Sequence, residues 1–393
     1  MNGIQKVRGS NPLTSTRRMY GVRSDSGAVF CRFVPVLKSE AGCPIMKAEL
    51  FFFTKSVLKE AMSMRLLREP VTIKNVTLKN RLVMPPMATE KADRGAVTAA
   101  TLAWYDEKSR GGFIGLVETE HCYVSPEGQA SPCQLSISRD SDVEGLSRLV
   151  RTVHANGSPL VAQLNHAGSL AKEEVTELPA YGASAVTNPR RGTRAPVALD
   201  AAGLDKIVRD FAAAARRAKE AGFDGVELHS AHGYLLDQFY SPLTNRRGDE
   251  YGISPENRVR LHGRVIAAVR EAVGDDYLVA LRLGAGDYMP GGATAEDGAR
   301  AAAFFERCGV DMISLSGGMC GYTVPGLDGE GYFSRLSAAV KEKVSVPVLL
   351  TGGVVTGAGA EKLLREGKAD LIGVGRAILK DSGWARRVMG EER

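Results

Sequence analysis

The sequence lacks the long apolar run that a membrane-spanning helix requires. The longest candidate, residues 50–57, is short and is interrupted by Lys55, whereas a spanning helix needs about 20 apolar residues. The six cysteines are scattered, with no CxxC pair and no histidine at zinc-finger spacing. These absences argue against a membrane-spanning helix, a zinc finger and cysteine-ligated iron–sulfur clusters, and they predict reduced thiols in a cytoplasmic protein.

An excess of basic residues is also missing from most of the chain. The formal net charge is +6, the sign that a nucleic-acid partner would require. Residues 1–61 hold ten Lys/Arg against four Asp/Glu, whereas the remaining residues hold 41 of each sign. The charge excess therefore lies in the N-terminal segment, and nothing in residues 62–393 predicts binding to a phosphate backbone.

The chain is predicted to have two parts of unequal regularity. Residues 1–61 show neither a helical period nor a strand alternation, and we expect them to form a disordered extension. This basic leader, which contains Arg and Ser, is compatible with an organelle transit peptide. The alternative, which we favour, is an extension ahead of a true start codon at Met62 or Met64. Residues 62–393 are predicted to form one domain.

Eight short apolar segments alternate with helical segments from Leu66 onward. The segments are rich in Val, Leu and Ile, as strands buried on both faces should be. Eight alternations predict an α/β fold, a (β/α)8 TIM barrel with its site at the carboxyl ends of the strands. A doubly wound sheet would usually carry a Gly-rich loop after its first strand, where this chain has MPPMATEKADRG. The predicted strands are Arg81–Met87, Phe113–Thr119, Pro159–Asn165, Gly225–His229, Leu278–Leu283, Met312–Ser316, Val346–Thr351 and Asp370–Val374.

Small residues and one arginine follow the last three predicted strands. They are Gly317, Gly352, Gly353, Gly375 and Arg376. Glycines let backbone N–H groups approach an anion, and Arg376 adds a fixed charge, so together they predict a phosphate site. A tight turn would explain any one of the glycines, but three adjacent strand ends with an arginine favour the anion site.

Two polar side chains lie within apolar predicted strands. Arg282 interrupts LVALRLGAG, and because an unpaired buried charge is costly, it should meet an anionic ligand or pair with Glu227 or Glu118. Gln163 in VAQLNHAG can donate and accept, as recognition of an imide-like edge requires. A buried glutamine satisfied by the backbone is the alternative at that position.

The segment 229–252, HSAHGYLLDQFYSPLTNRRGDEYG, follows the fourth predicted strand. Three interpretations of His229 and His232 are open: metal ligands, core residues, or paired hydrogen-bond donors to a carbonyl oxygen. The third would stabilise the charge that develops when a conjugated carbonyl accepts a hydride, and Tyr234 would offer a proton to the adjacent carbon. The long connections 171–200 and 234–254 follow strand ends and are predicted to form lids or pocket walls.

Taken together, these segments resemble the old yellow enzyme family of FMN-dependent ene-reductases, in its short single-barrel type. The resemblance implies FMN bound tightly at the barrel mouth, NAD(P)H as reductant, and a small unsaturated carbonyl compound as substrate. It implies no nucleic-acid or membrane partner and no metal, and it allows a homo-oligomer. The matching segments are NRLVMPPMAT (80–89), VSPEGQ (124–129), AQLNHAG (162–168), ELHSAHGYLLDQFYSPLTNRRGDEYG (227–252), LRLGAGDY (281–288), TGG (351–353) and VGR (374–376).

The resemblance also implies roles for individual residues. His229 and His232 would bind the substrate carbonyl, and Tyr234 would donate the proton. Gln163 and Arg282 would meet the pyrimidine edge of the flavin. The other implied cofactor-binding residues lie beside the ring or hold the phosphate: Pro86, Met87, Ala88, His121, Gly317, Gly352, Gly353, Gly375 and Arg376.

Four positions depart from the family's pattern: Ala88, Glu90, His121 and Gly284. Ala88 stands where many members carry Thr or Cys, and it cannot form a hydrogen bond to the flavin ring. The implied activity is ping-pong reduction of the C=C bond of α,β-unsaturated carbonyl compounds. Two alternatives stay open: an FMN-dependent dehydrogenase or demethylase of an amine or other small reduced substrate, and a flavin-free barrel acting on a phosphorylated metabolite.

Overall fold

A computed structural model describes residues 22–23, 29–30, 65–192 and 194–390. The chain divides into two units, Met1–Lys59 and Glu60–Arg393. In the first unit, the strands Val22–Arg23 and Val29–Phe30 pair antiparallel. The predicted disorder of residues 1–61 otherwise concerns positions outside the described residues.

Eight parallel strands close into a barrel in the second unit, as predicted. Each strand pairs with the next in chain order, and the eighth pairs with the first. The barrel strands are β1 (Leu82–Met84), β2 (Leu116–Glu118), β3 (Leu160–Asn165), β4 (Gly225–Ser230), β5 (Leu278–Gly284), β6 (Met312–Ser316), β7 (Val348–Thr351) and β8 (Leu371–Gly373).

Helices follow the strands and cover the outside of the barrel. They are α1 (Ala99–Ser109), α2 (Asp142–Ala155), α3 (Ala201–Ala221), α4 (Arg260–Val273), α5 (Ala295–Arg307), α6 (Ser334–Lys341), α7 (Gly357–Arg365), α8 (Arg376–Lys380) and α9 (Trp384–Met389). A separate helical turn, Pro255–Arg258, precedes α4, because Val259 between them leaves the helical range at φ −96° and ψ 0°. Within the described ranges, no helix combines the length and apolar character needed to cross a membrane.

The barrel interior has an apolar floor and a polar layer above it. The hairpin formed by Val71–Ile73 and Val76–Leu78 packs against the floor. Because side chains alternate along a strand, the residue two positions after a floor residue also faces inward. At this second level the barrel interior becomes polar. The floor includes Val83, Leu116, Val161, Ala280, Met312, Leu349 and Leu371. The polar layer includes Glu118, Gln163, Glu227, Arg282, Ser314 and Thr351.

Candidate active site

A cavity of about 600 Å³ lies at the carboxyl ends of the strands, and this size is typical of cofactor and substrate sites. Strand ends that are far apart in sequence converge on it, as a barrel requires. Thirteen of the predicted site residues line the cavity: Pro86, Met87, Ala88, His121, Gln163, His229, His232, Tyr234, Arg282, Gly352, Gly353, Gly375 and Arg376.

Gly317 does not line this cavity. Its carbonyl accepts a hydrogen bond from His232 N at 3.3 Å, and a Cβ at this position would lie 2.2 Å from Gly321 O. The neighbouring Ser316 lines the cavity instead, and its Oγ lies 2.7 Å from His232 Nε2. Gly317 therefore shapes the turn after β6 rather than the cavity wall.

Three imidazoles and one phenol form a cluster on one side of the cavity. The ring centroids of His229 and His232 are 5.1 Å apart with an interplanar angle of 86°, and those of His229 and Tyr234 are also 5.1 Å apart. His121 lies 5.4 Å from Tyr234. Burial and then the charge of Arg282 lower the pKa of both His229 and His232 well below the usual value. Both imidazoles are therefore neutral, and each carries one N–H.

The turn that carries the histidine pair is held by the connection after β3. His232 has a φ of 61°, which a residue with a side chain rarely adopts. The guanidinium of Arg190 donates to His232 O, and Asn188 Nδ2 donates to Gly233 O at 2.9 Å. On the other side, Gly233 N donates to Asp237 Oδ2 at 2.7 Å. The connection 171–200 was predicted from the sequence to form a lid or pocket wall, but no pattern within it distinguished Asn188 and Arg190.

The rest of the motif, residues 235–252, does not line the cavity, so its prediction as a pocket wall was wrong. The helix Leu235–Tyr240 is buried throughout. Its Gln238 donates to Gly233 O at 2.7 Å and accepts from Ser169 N at 3.1 Å. Asp237 and Gln238 of this helix therefore hold the histidine turn through Gly233, while the apolar residues of the helix pack in the core.

Two polar side chains in the cavity wall retain atoms without partners. Gln163 Nε2 donates to Glu227 Oε2 at 2.6 Å, while its Oε1 is buried without a hydrogen-bond partner among the described residues. The buried Nε of Arg282 also lacks a hydrogen-bond partner among the described residues. The predicted alternative for Arg282, an ion pair with Glu227 or Glu118, does not occur within 4.0 Å in the described chain. An acceptor and a cationic donor thus remain for a ligand.

The opposite end of the cavity combines close backbone approach with positive charge. Gly353 has a φ of 72°, and a Cβ there would lie 2.4 Å from Gly329 O. Arg376 is exposed, and its Nη2 donates to Tyr332 Oη at 3.2 Å. Since Arg376 has no acidic partner among the described side chains, its charge is available to an anionic ligand.

Comparison with known proteins agrees with this geometry. The model of the NADH:flavin oxidoreductase / NADH oxidase family matches residues 66–392. The chain belongs to this family. An NADH oxidase of Thermoanaerobacter brockii is 38% identical over 322 residues, covering 80% of this chain and 49% of that protein. The chain spans about half the length of the curated relatives it matches.

Solved structures of the family confirm the resemblance to old yellow enzymes. The old yellow enzyme homologue from Zymomonas mobilis is 28% identical with a TM-score of 0.73, covering 83% of this chain and 93% of that one. Histamine dehydrogenase from Rhizobium sp. 4-9 is 29% identical with a TM-score of 0.75, covering 83% of this chain and 48% of that one.

The cavity of this family member fits FMN. The unpartnered Gln163 Oε1 and Arg282 Nε suit the donor and acceptor edge of a flavin pyrimidine. At the other end, the exposed Arg376, which has no acidic partner among the described side chains, and the glycine backbone suit a phosphate. Among the described residues, no group of three or more His, Cys, Asp or Glu side chains is placed to hold a metal ion.

A buried acid supports the wall of the site. Glu120 Oε1 accepts from Thr89 Oγ1 at 2.5 Å, and Oε2 accepts from Thr89 N at 3.2 Å, next to Ala88 in the cavity wall. Burial raises the pKa of Glu120 from 4.5 to about 7, and the bonds from Thr89 oppose this shift.

Replacing Glu120 with glutamine is expected to remove a pH dependence of stability. The pKa of Glu120 is higher in the folded state than in the unfolded state. Its contribution to the free energy of unfolding is therefore fully present below the unfolded-state pKa and is lost as the pH rises to about 7. The loss is roughly 3 kcal/mol at about 1.4 kcal/mol per pKa unit. Urea unfolding of both proteins at about pH 5 and pH 8 measures it. A free-energy difference that is constant with pH would contradict the assignment.

Proposed function

We propose that this chain is an FMN-dependent oxidoreductase that uses NAD(P)H to reduce the C=C bond of α,β-unsaturated carbonyl compounds. The family supports flavin chemistry. The choice of substrate rests on one observation, the neutral His229 and His232 beside Tyr234 in the cavity wall. Two N–H donors and a phenol match a carbonyl oxygen and the carbon next to it.

Residues at the two ends of the cavity would hold the cofactor. Gln163 and Arg282 would bind the pyrimidine edge, and Arg376 would bind the phosphate with the backbone of Gly353 and Gly375. Pro86, Met87 and Ala88 would lie against the ring. When bound, FMN supplies a two-electron acceptor and donor. Arg282 would balance negative charge on the reduced ring.

The histidine cluster would bind and polarise the substrate. Because both imidazoles are uncharged, each offers one N–H as a hydrogen-bond donor, and neither is an imidazolium that would act as the acid. Burial raises the pKa of the Tyr234 phenol, so this group keeps its proton at neutral pH. Tyr234 Oη would give that proton to the carbon next to the carbonyl group.

Steady-state kinetics tests whether one cavity serves both reactants. The nicotinamide and the enone would occupy the same space beside the ring, so one must leave before the other binds. Initial rates measured against NAD(P)H at several fixed enone concentrations should then give parallel double-reciprocal lines. Converging lines would mean that both reactants bind together, and the single-cavity proposal would fail.

Oxidation of an amine is the second candidate, supported by the likeness to histamine dehydrogenase. Glu90 lines the cavity and offers a carboxylate to an ammonium group. An anaerobic comparison separates the two candidates. Bleaching of the oxidised flavin by amines, with no reoxidation of reduced flavin by enones, would favour the dehydrogenase.

A further inference from the structure

Two buried carboxyl groups beneath the cavity leave three of their four oxygens without a hydrogen-bond partner among the described residues. Glu118 is 1% exposed and Glu227 is 0% exposed. Neither carboxyl oxygen of Glu118 has a hydrogen-bond partner among the described residues, and the same holds for Glu227 Oε1. The remaining oxygen, Glu227 Oε2, accepts from Gln163 at 2.6 Å. Buried polar groups in this state are uncommon and costly, so they call for a functional explanation.

The layering of the barrel brings the two acids together. Side chains from alternate strands share a layer in a (β/α)8 barrel, so β2 and β4 place Glu118 and Glu227 at one level, with Ser314 of β6. Gln163 of β3 and Arg282 of β5 line the cavity, whereas the two acids do not. The carboxyl pair therefore lies between the apolar floor and the proposed flavin site.

The charged groups that face this pair are few. Arg282 is the cation that acts on both acids, and each acid acts on the other. The neighbouring imidazole on β4, His229, is neutral. The strands β1, β3, β6, β7 and β8 contain no ionisable side chain. Burial and then Glu227 raise the pKa of Glu118 well above the usual value, and burial raises that of Glu227, opposed by Arg282.

We propose that Glu118 and Glu227 share one proton while the flavin is oxidised and bind a second proton from solvent when the flavin is reduced. This inference rests on the proposed function, because it needs FMN beside Arg282. With one shared proton, the pair carries a single negative charge that Arg282 balances. A hydride from NAD(P)H would give bound FMN two electrons and one proton, and so one negative charge for Arg282 to balance, and the carboxylate would then lose part of its compensation. Protonation of that carboxylate to a carboxylic acid restores the balance, and reoxidation releases the proton.

The dependence of the flavin midpoint potential on pH tests this proposal. Each proton bound together with two electrons adds about 30 mV per pH unit to the slope. The wild type should be steeper than Glu118→Gln by about this amount over part of the range from roughly pH 6 to 9. Equal slopes in these two proteins would overturn the proposal.

A matched control is available at Glu361. This acid is 2% exposed and accepts from Leu66 N and Leu67 N at 3.2 and 2.9 Å, outside the barrel interior. Glu361→Gln makes the same chemical change in a buried carboxylate without touching the pair. Its slope should equal that of the wild type.

Infrared spectroscopy gives a measurement on the wild type alone. The reduced-minus-oxidised difference spectrum should gain a band of a protonated carboxyl group and lose a carboxylate band, and the gained band should shift in D2O. A spectrum without this gain would overturn the proposal even if Glu118→Gln does not fold. Where that variant does fold, the gained band should be absent from its spectrum.

Failure of the cofactor assignment has a different signature. If the purified wild type binds no FMN, the redox-linked uptake fails together with the proposed function. The shared proton is then tested by urea unfolding of the same protein. The folded-state pKa of Glu118 is raised. Above the pKa that Glu118 has in the unfolded chain, the unfolding equilibrium constant of the wild type should therefore rise with pH, by up to about tenfold per pH unit relative to Glu118→Gln. A pH dependence parallel to that of the variant would contradict the shared proton.

Discussion

Replacing His229 and His232 together with alanine is expected to slow reoxidation of the reduced enzyme by an enone by about three orders of magnitude. Each imidazole would supply one N–H to the substrate oxygen, and loss of a single such donor costs on the order of 10²–10³ in rate. Both side chains lie in the cavity wall, with ring centroids 5.1 Å apart. Stopped-flow absorbance at saturating enone measures the effect.

A matched control separates substrate activation from general damage. His154 lies away from the cavity, and its Nε2 is 2.7 Å from Asp224 Oδ2. The variant His154→Ala should reoxidise at the wild-type rate, and the double variant should still bind FMN. Enone reduction at the wild-type rate in the double variant would show that the histidine pair does not activate the substrate.

Replacing Arg376 with alanine is expected to weaken FMN binding by about 10- to 100-fold. The guanidinium would provide a charge-assisted hydrogen bond to the phosphate, and such bonds contribute about 1.5–3 kcal/mol. No acid competes for this charge among the described side chains. Titration of the flavin-free protein with FMN, followed by quenching of flavin fluorescence, measures the dissociation constant.

The same titration with riboflavin tests which end of the cofactor Arg376 binds. Riboflavin lacks the phosphate, so its affinity should be unchanged by Arg376→Ala. The variant Arg386→Ala, which removes an exposed arginine from α9, should bind both ligands normally. An equal loss of affinity for FMN and riboflavin would contradict a phosphate site at Arg376.

The fold was predictable because its strands are buried on both faces. Such strands appear in a sequence as short apolar runs, and each of the eight predicted runs contains a strand of the barrel. Their ends were less predictable. The first strand was predicted to reach Met87 but ends at Met84, because Pro85 and Pro86 have no N–H to donate to a neighbouring strand.

The candidate site was partly predictable for a similar reason. Carboxyl ends of parallel strands converge in a barrel, so residues such as Gln163, His229 and Arg376 were expected to meet. Gly317 was the exception, although the sequence held the signal. Inward residues alternate along β6 from Met312 through Ser314 to Ser316, which directs Gly317 away from the interior.

Contacts that depend on strand stagger and loop conformation were not predictable. That Glu118 and Glu227 lie at one level of the barrel becomes clear only from knowing which strands share a layer. Asn188 and Arg190 reach the histidine turn only through the path of a long connection. Neither arrangement leaves a periodic pattern in the sequence, because each joins side chains that are far apart along the chain.

Anaerobic reduction and reoxidation of the purified protein tests the central claim most directly. The protein is loaded with FMN, reduced with NADH or NADPH, and mixed with 2-cyclohexenone without oxygen. The proposed function predicts that the flavin absorbance disappears on reduction and returns with the enone, forming one saturated ketone per flavin. A protein that cannot be loaded with FMN, or a flavin that stays reduced in the presence of enones, would contradict it.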